Sequence, residues 1–226
     1  MGKAEDFWNE KFTEAFINGK EPTKFIKEML PRMQKGKTLD IGMGEGINAT
    51  YFAKSGFKVK GLDISAKAIE HAKALALEMG VEIEIQKTDL DLFITGLMEY
   101  DSIIMTFFKP PLGRYYSELI RALKQGGTLL VESYSEEEKS EVIHPEEAYR
   151  DYFFRSNELL KELKGMRILY YNESKINGKH VIQCLAKKPL DKDAAKYNLF
   201  DMHSEQKKQG PSKQWELAES LFKKKD

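Results

Sequence analysis

Apolar and polar residues follow one another along most of the chain in a regular succession of strand-like and helix-like patterns. Short apolar or alternating runs predict strands at 38–41, 58–63, 81–85, 101–106 and 128–132. Helical spacing and helix-boundary residues predict helices over 5–33, 48–54, 65–79 and 112–123, with a break at Asn18-Gly19. Strands that alternate with helices predict an α/β fold, in which a mostly parallel, doubly wound sheet is covered on both faces.

The pattern changes after residue 133. Residues 135–150 are polar and acidic, which indicates a surface insertion, and a helix is predicted at 157–163. Two further strands, at 167–171 and 181–185, have no helix between them. The link contains Asn177-Gly178, a pair that favours a tight hairpin, so we expect the sheet to end in an antiparallel pair.

A glycine-rich loop follows the first strand. Gly42, Gly44 and Gly46 have the spacing G-x-G-x-G, and glycine is needed where a strand turns sharply into a helix beside a ligand. The dinucleotide fingerprint G-x-G-x-x-G would require glycine at Ile47, which argues against a nicotinamide or flavin enzyme. A phosphate-binding P-loop is also excluded, because no Gly-Lys-Ser/Thr follows.

Acidic residues follow the next two strands. A carboxylate at Asp63 can accept hydrogen bonds from both hydroxyls of a ribose, and Asp89 is placed to accept from the amine of an adenine. The carboxyl ends of parallel strands meet at one edge of the sheet, where open α/β sheets bind ligands. The loop and the two acids together therefore predict an adenosine site.

These residues resemble those of the class I, Rossmann-like methyltransferases. Residues 39–49 are similar to their first motif, and Asp63, residues 88–90 and residues 123–131 are similar to later ones. The resemblance covers roughly residues 5–188. Trp8 to Phe12 and Gly46 to Asn48 resemble the small tellurite-resistance-type methyltransferases. The resemblance implies a Rossmann-like fold with S-adenosylmethionine as cofactor and S-adenosylhomocysteine as product.

The resemblance also implies a set of cofactor-binding residues. They come from the aromatic N-terminal stripe, the glycine loop and the later strand ends: Trp8, Phe12, Asp40, Gly42, Met43, Gly44, Asn48, Asp63, Ile64, Asp89, Leu90, Thr106 and Phe107. In this set Asp40 would orient the loop or meet the amino group of the methionine moiety. Trp8 and Phe12 would close over the site as a lid, or would belong to an ordinary packed helix.

Candidate contacts to the methyl acceptor are polar and aromatic residues beyond the fourth strand: Phe107, Phe108, Tyr115, Tyr116, Tyr134, His144, Phe153 and Arg155. His144 is either a base or a surface histidine, and Arg155 either neutralises an anionic acceptor or forms a salt bridge. No general base is assigned, because a thiolate or metalloid oxyanion needs none. No metal site is predicted.

The composition of the chain bears on whether it binds nucleic acid and on where in the cell it is expected. The 226 residues contain 36 basic and 36 acidic side chains, so no global positive field favours nucleic acid. The single cysteine, Cys184, lies in an apolar run and is expected to be a buried thiol. No apolar run is long enough to span a membrane, and the expected location is cytoplasmic.

We divide the chain into an N-terminal helical lid (1–36), a methyltransferase domain (37–189) with a substrate insertion at 133–156, and a polar C-terminal tail (190–226). The leading hypothesis is methyl transfer to a small molecule, either a thiol or a metalloid oxyanion. The alternatives are a protein or RNA methyltransferase and a module that binds S-adenosylmethionine without catalysis. The sequence does not predict an oligomeric state.

Overall fold

A sheet of seven strands forms the centre of the computed structural model, which describes residues 3–16, 19–89, 95–110, 113–138 and 153–191. The strands are β1 (Lys37–Ile41), β2 (Lys58–Asp63), β3 (Glu84–Lys87), β4 (Tyr100–Thr106), β5 (Leu123–Tyr134), β6 (Arg167–Ile176) and β7 (Lys179–Lys187). Their order across the sheet is β3-β2-β1-β4-β5-β7-β6, and β7 runs antiparallel to both of its neighbours. The predicted fold class, a mostly parallel Rossmann-like sheet with a final antiparallel hairpin, is confirmed.

The helices are α1 (Lys3–Lys11), α2 (Lys24–Met29), α3 (Ile47–Lys54), α4 (Ala66–Met79), α5 (Arg114–Ala122) and α6 (Glu158–Glu162), with a 3-10 helix at Leu30–Arg32. The predicted cap of α4 is present, because the Ser65 hydroxyl accepts a hydrogen bond from the Ala68 amide at 3.1 Å. The turn between β6 and β7 is also as predicted: Asn177 and Gly178 have φ values of 51° and 81°, as a tight hairpin requires.

Two hydrophobic clusters cover the opposite faces of the sheet. One cluster joins β1, β4 and β5 to α5 and α6 through Leu39, Ile103, Leu129, Leu119 and Leu159. The other joins the same sheet to α2 and α3 through Ile104, Leu130, Phe25, Ile26 and Phe52. The second half of the expected lid is therefore part of the core, because α2 buries Phe25 and Ile26 against the sheet.

Two strands begin three or more residues away from their predicted starts. β3 begins at Glu84 rather than at Val81, because the Val81 amide donates to the Ala76 carbonyl and so completes the end of α4. The predicted turn at Gly126-Gly127 lies inside β5, because both glycines exchange backbone hydrogen bonds with Lys188. In each case a contact with another element decided the boundary.

Several predicted features lie outside the described residues. They are Leu90 of the cofactor set, His144 with most of the insertion, and the tail beyond residue 191. Within the part of the chain that is described, no helix is both long and apolar enough to cross a membrane.

The approach of α3 to α4 gives a test of the fold. Gly46 caps α3 with φ 74°, and a Cβ there would lie 2.8 Å from the Cβ of Ala72 on α4. We expect Gly46→Ala to lower the free energy of unfolding by about 2–5 kcal/mol, because left-handed strain adds to overpacking. Gly80→Ala is the matched control, since its φ is 64° but its Cβ would meet open space. Urea unfolding of both variants measures the difference, and equal losses would contradict the close packing.

Candidate functional site

The glycine loop turns at the carboxyl end of β1 with all three of its glycines in the left-handed region. Gly42, Gly44 and Gly46 have φ values of 65°, 54° and 74°. A Cβ at Gly42 would lie 3.1 Å from the ring of Phe108, and a Cβ at Gly44 would lie 3.4 Å from the ring of Phe12. The loop therefore runs between two aromatic side chains, and larger residues would fill the space beside its backbone.

The Asp63 carboxylate connects this loop to the start of α4. One of its oxygens accepts a hydrogen bond from the Gly44 amide at 2.8 Å, and the other accepts from the Ser65 amide at 2.8 Å. Asp63 is only 8% exposed. Burial raises the pKa of this carboxyl, while the hydrogen bonds from Ser65, Gly44 and Ile64 oppose the rise. The structure thus gives Asp63 a role in fixing the loop.

Asp40, in β1 beside the loop, is a fully buried carboxyl. Neither of its oxygens forms a hydrogen bond of normal geometry within the described part of the chain. Burial, and then the nearby Asp63 carboxylate, raise the pKa of Asp40 to about 7, against a weaker opposing effect of the Ala49 backbone. A buried acid without a partner is costly, so this position is suited to a cationic or hydrogen-bond-donating ligand group.

The predicted residues at the start of α3 and the end of β4 meet directly. The Asn48 amide donates a hydrogen bond to the Thr106 hydroxyl at 2.8 Å. Met43, in contrast, is buried, and its side chain packs over Gly61 and with Ile69. Met43 therefore contributes its backbone to the loop, while its side chain belongs to the core.

The predicted adenine side is more open. Ile64 is half-buried after β2, and Asp89 is exposed after β3. The Thr88 amide donates to the Asp63 carbonyl at 2.9 Å, which joins the ends of the two strands. The acidic residues that follow β2 and β3 thus lie at the same edge of the sheet.

The predicted lid aromatics lie at this edge as well. Trp8 and Phe12 are half-buried, and their rings stack with centroids 5.9 Å apart. Asn9, between them, accepts hydrogen bonds from the Ser65 hydroxyl at 2.9 Å and from the Lys67 amide at 3.3 Å. The N-terminal helix α1 is therefore attached to the turn that follows Asp63.

The predicted acceptor side contains an aromatic cluster of Phe107, Tyr134 and Phe153. The rings of Phe107 and Tyr134 have centroids 4.9 Å apart, and those of Tyr134 and Phe153 are 6.3 Å apart. Phe107 is 39% exposed and has φ 49°, a strained conformation for a residue other than glycine. Strain of this kind often occurs at binding sites.

Other acceptor candidates are placed differently. Tyr115 and Tyr116 are buried on α5, and Tyr116 belongs to the large core cluster, so they act in packing rather than as an exposed acceptor surface. Phe108 packs against Gly42. Arg155 is exposed, and its backbone amide donates to Glu158 at 2.8 Å. The salt bridge considered for its side chain is not formed within the described part of the chain.

Sequence reasoning missed two buried carboxylates near the site. Glu132 is 3% exposed and accepts hydrogen bonds from the Thr23 hydroxyl and, at 2.7 Å, from the Gln183 amide. Burial raises its pKa. Glu45, inside the glycine loop, is 5% exposed and lies 2.9 Å from the Nδ1 of His71. Glu132 is a charged residue at the end of an otherwise apolar strand, and this could have marked it as a candidate. The sequence around Glu45 contains no comparable signal.

Comparison with known proteins identifies the central segment. Residues 38–127 match the family model described as "Methyltransferase domain". A ribosomal protein L11 methyltransferase from Dictyoglomus thermophilum is 36% identical over 120 residues, which is 51% of this chain and 39% of the relative. A ubiquinone biosynthesis O-methyltransferase from Nitrosomonas europaea is 26% identical over 120 residues, 51% of each chain. The chain therefore spans about two fifths to half the length of these curated relatives.

Solved structures share the fold. A SAM-dependent methyltransferase from Methanosarcina mazei superposes with a TM-score of 0.58 at 19% identity, over 76% of this chain and all of the other. TehB from Haemophilus influenzae superposes with a TM-score of 0.60 at 20% identity, over 81% of this chain and 66% of the other. At these identities the likeness shows the fold alone.

Residues 38–127 therefore resemble a methyltransferase domain, and they lie in a sheet with the fold of known SAM-dependent methyltransferases. S-adenosylmethionine is the cofactor for which the Methanosarcina mazei protein is named. The residues present fit that group, because the glycine turns leave backbone accessible and Asp40, which has no hydrogen-bond partner among the described residues, suits a cationic amino group.

The buried acid Asp40 makes stability depend on pH. Its pKa rises from 3.8 to about 7 on folding, so between these values the native chain binds more protons than the unfolded chain. The free energy of unfolding should therefore fall as pH rises from about 4 to about 7. Asp40→Asn removes this contribution, so between pH 5 and pH 8 the free energy of unfolding of the variant should rise by about 2.5 kcal/mol relative to that of the wild type.

Urea unfolding of both proteins at the two pH values measures that gain. Asp6→Asn is the control, because Asp6 is exposed on α1. A difference between Asp40→Asn and the wild type that does not change with pH would contradict the assignment. Asp63 and Glu132 have raised pKa values too, so part of the slope should persist in the variant.

Proposed function

We propose that the chain is an S-adenosylmethionine-dependent methyltransferase that transfers a methyl group to a small-molecule acceptor. The observation that carries the proposal is the constellation at the carboxyl ends of β1 and β2: a glycine loop bound to Asp63, next to the partnerless carboxyl of Asp40. Such a constellation offers hydrogen-bond acceptors and free backbone at the edge where α/β sheets bind ligands.

Each part of the cofactor has proposed contacts. Each oxygen of Asp63 accepts one hydrogen bond from a backbone amide. A carboxylate oxygen has a second lone pair, so Asp63 can also accept hydrogen bonds from the ribose hydroxyls. Ile64 and Asp89 would contact the adenine. Asp40 and Asn48 would contact the methionine moiety, where a cationic amino group would offset the cost of the buried Asp40 charge.

S-adenosylmethionine supplies an electrophilic methyl group when it is bound. The chain's own residues would position the acceptor and exclude water from it. Asn48 and Thr106 are already oriented by their mutual hydrogen bond at 2.8 Å. The aromatic face of Phe107 favours a nearby cationic sulfur by cation–π attraction, which is worth about 0.5–2 kcal/mol.

The aromatic cluster supports a small acceptor with an apolar face. Phe107 and Tyr134 provide such a face at the ends of β4 and β5, and the buried Phe153 packs beside them. The nearby cation Lys109 is already paired with Glu158 at 2.7 Å and donates to the Phe153 carbonyl at 3.0 Å. Because this cation is already paired, the arrangement favours a neutral or thiol acceptor over a metalloid oxyanion. The tellurite-resistance-type subgroup stays a prediction.

A protein acceptor is the second candidate, and a specific observation favours it. The relative from Dictyoglomus thermophilum, which is 36% identical over 120 residues, is named for methylation of ribosomal protein L11. The likeness covers only 51% of this chain and 39% of the relative, so it gives the acceptor limited support. Methyl transfer to purified ribosomal proteins, with none to small molecules, would favour this candidate.

Cofactor binding is the first test of the proposal. Calorimetry should show one site per chain for S-adenosylhomocysteine. Asp63→Ala should lower the affinity at least about a hundredfold, because it removes hydrogen bonds from a charged acceptor and frees the loop. Glu28→Ala is the control, since Glu28 is an exposed residue that pairs with Lys24. Undiminished binding by Asp63→Ala, or no binding by the wild type, would refute the proposal.

The acceptor side is tested by a screen that measures S-adenosylhomocysteine production with thiols, phenols, small amines and metalloid oxyanions. For the best substrate, Tyr134→Ala should raise KM about tenfold, because the central ring of the aromatic cluster is lost. Tyr134→Phe keeps the ring and should stay near the wild-type KM. Affinity for S-adenosylhomocysteine should be equal in all three proteins. An unchanged KM in Tyr134→Ala would place the acceptor elsewhere.

A further inference from the structure

Residues 3–16, which we call the N-terminal segment, lie across the carboxyl ends of three neighbouring strands. Glu5 forms an ion pair with Lys87 at the end of β3. Asn9 accepts a hydrogen bond from Ser65 after β2, at 2.9 Å. The backbone amide of Phe16 donates to an oxygen of Glu45 in the glycine loop after β1, at 2.6 Å. The segment thus follows the edge that forms the proposed cofactor site.

The ion pair to Lys87 and the hydrogen bond to Glu45 differ in their exposure to solvent, and this difference decides how strongly each holds the segment. The Lys87 side chain is 42% exposed, and a salt bridge that open to solvent contributes little. Glu45 is 5% exposed, so its hydrogen bond is screened far less and its loss would leave a buried group unsatisfied. The contact between Phe16 and Glu45 is therefore a stronger attachment than the ion pair between Glu5 and Lys87, and it is the one that reaches the glycine loop itself.

A second group shares the same oxygen of Glu45. The Nδ1 of His71 on α4 lies 2.9 Å from Oε1, the atom that accepts from Phe16. A carboxylate can only accept, so the hydrogen must be on Nδ1. The ring of Phe16 lies 5.9 Å from that of His71, and Phe16 has φ 56°, which is strained for phenylalanine. Glu45 therefore fixes an unfavourable backbone conformation against α4.

The aromatic residues Trp8 and Phe12 lie in the part of the segment that these contacts hold beside the glycine loop. Phe12 lies between Asn9 and Phe16 in the chain, and its ring is 3.4 Å from the position of a Cβ on Gly44. Trp8 stacks on Phe12. Any motion that separates Phe16 from Glu45 would release this aromatic pair from the glycine loop.

We infer that Glu45 is a positioning residue that couples the N-terminal segment to the glycine loop and so controls entry and release of the cofactor. The inference rests on the proposed cofactor site. Its structural half, the coupling of residues 3–16 to the loop, can be measured on the protein without any ligand.

The first arm of the test is amide hydrogen exchange of the full chain without ligand. Glu45→Ala should speed exchange about tenfold or more in residues 9–16, because the buried charge-assisted acceptor is lost. Glu45→Gln keeps an acceptor oxygen and should lie between Glu45→Ala and the wild type. Glu70→Ala is the matched control, since Glu70 is an exposed carboxylate on α4 that pairs with Lys67 at 3.4 Å. Exchange in β4 reports global stability and should not change.

The second arm is the dissociation rate of S-adenosylhomocysteine, measured by surface plasmon resonance. Glu45→Ala should dissociate about tenfold faster, with Glu45→Gln intermediate and Glu70→Ala equal to the wild type. Unchanged exchange in residues 9–16, or faster exchange there with an unchanged dissociation rate, would overturn the inference. Failure of the wild type to bind S-adenosylhomocysteine would instead refute the proposed function, and the exchange arm would still report on the coupling.

Discussion

The carboxylate of Asp63 is the constraint on which the rest of the site depends. Its two oxygens accept from the Gly44 and Ser65 amides, and these amides belong to turns that follow different strands. Without it, two largely buried amides would lose their partners and the turns could move independently. Burial raises the pKa of Asp40 and the Asp63 charge adds to that rise, so Asp63 contributes both to the geometry of the loop and to its electrostatics.

The polar groups of the site lie on one face of the sheet. Asp40 pairs in register with Ile104, and Thr106 pairs with Glu132, so side chains of alternate positions point to the side of α2 and α3. The opposite face is occupied by the apolar cluster with α5 and α6. The fold thus separates a polar face, where buried carboxylates are concentrated, from a face that supplies packing alone.

Predictions from sequence succeeded where the signal was local. The hairpin at Asn177-Gly178, the Ser65 cap and the strand that ends at Asp63 each depend on a few adjacent residues, and all three are present. Predictions failed where a distant element intervened. β3 begins later than predicted because Val81 is hydrogen-bonded to the end of α4, and Gly126 lies in β5 because its amide donates to the Lys188 carbonyl. Within the region taken as a lid, α2 buries Phe25 and Ile26 against the sheet, a contact that its sequence alone did not predict.

The sequence by itself predicted an adenosine site at one edge of the sheet, because G-x-G-x-G and the acids at the ends of two strands are spaced by local backbone requirements. Only the tertiary structure decided which side chains face the site. It buried Tyr116, joined Phe107 to Tyr134 and Phe153, and brought Glu45 to Phe16, a residue 29 positions away in the chain. Such contacts are formed by packing between elements, and no local pattern encodes them.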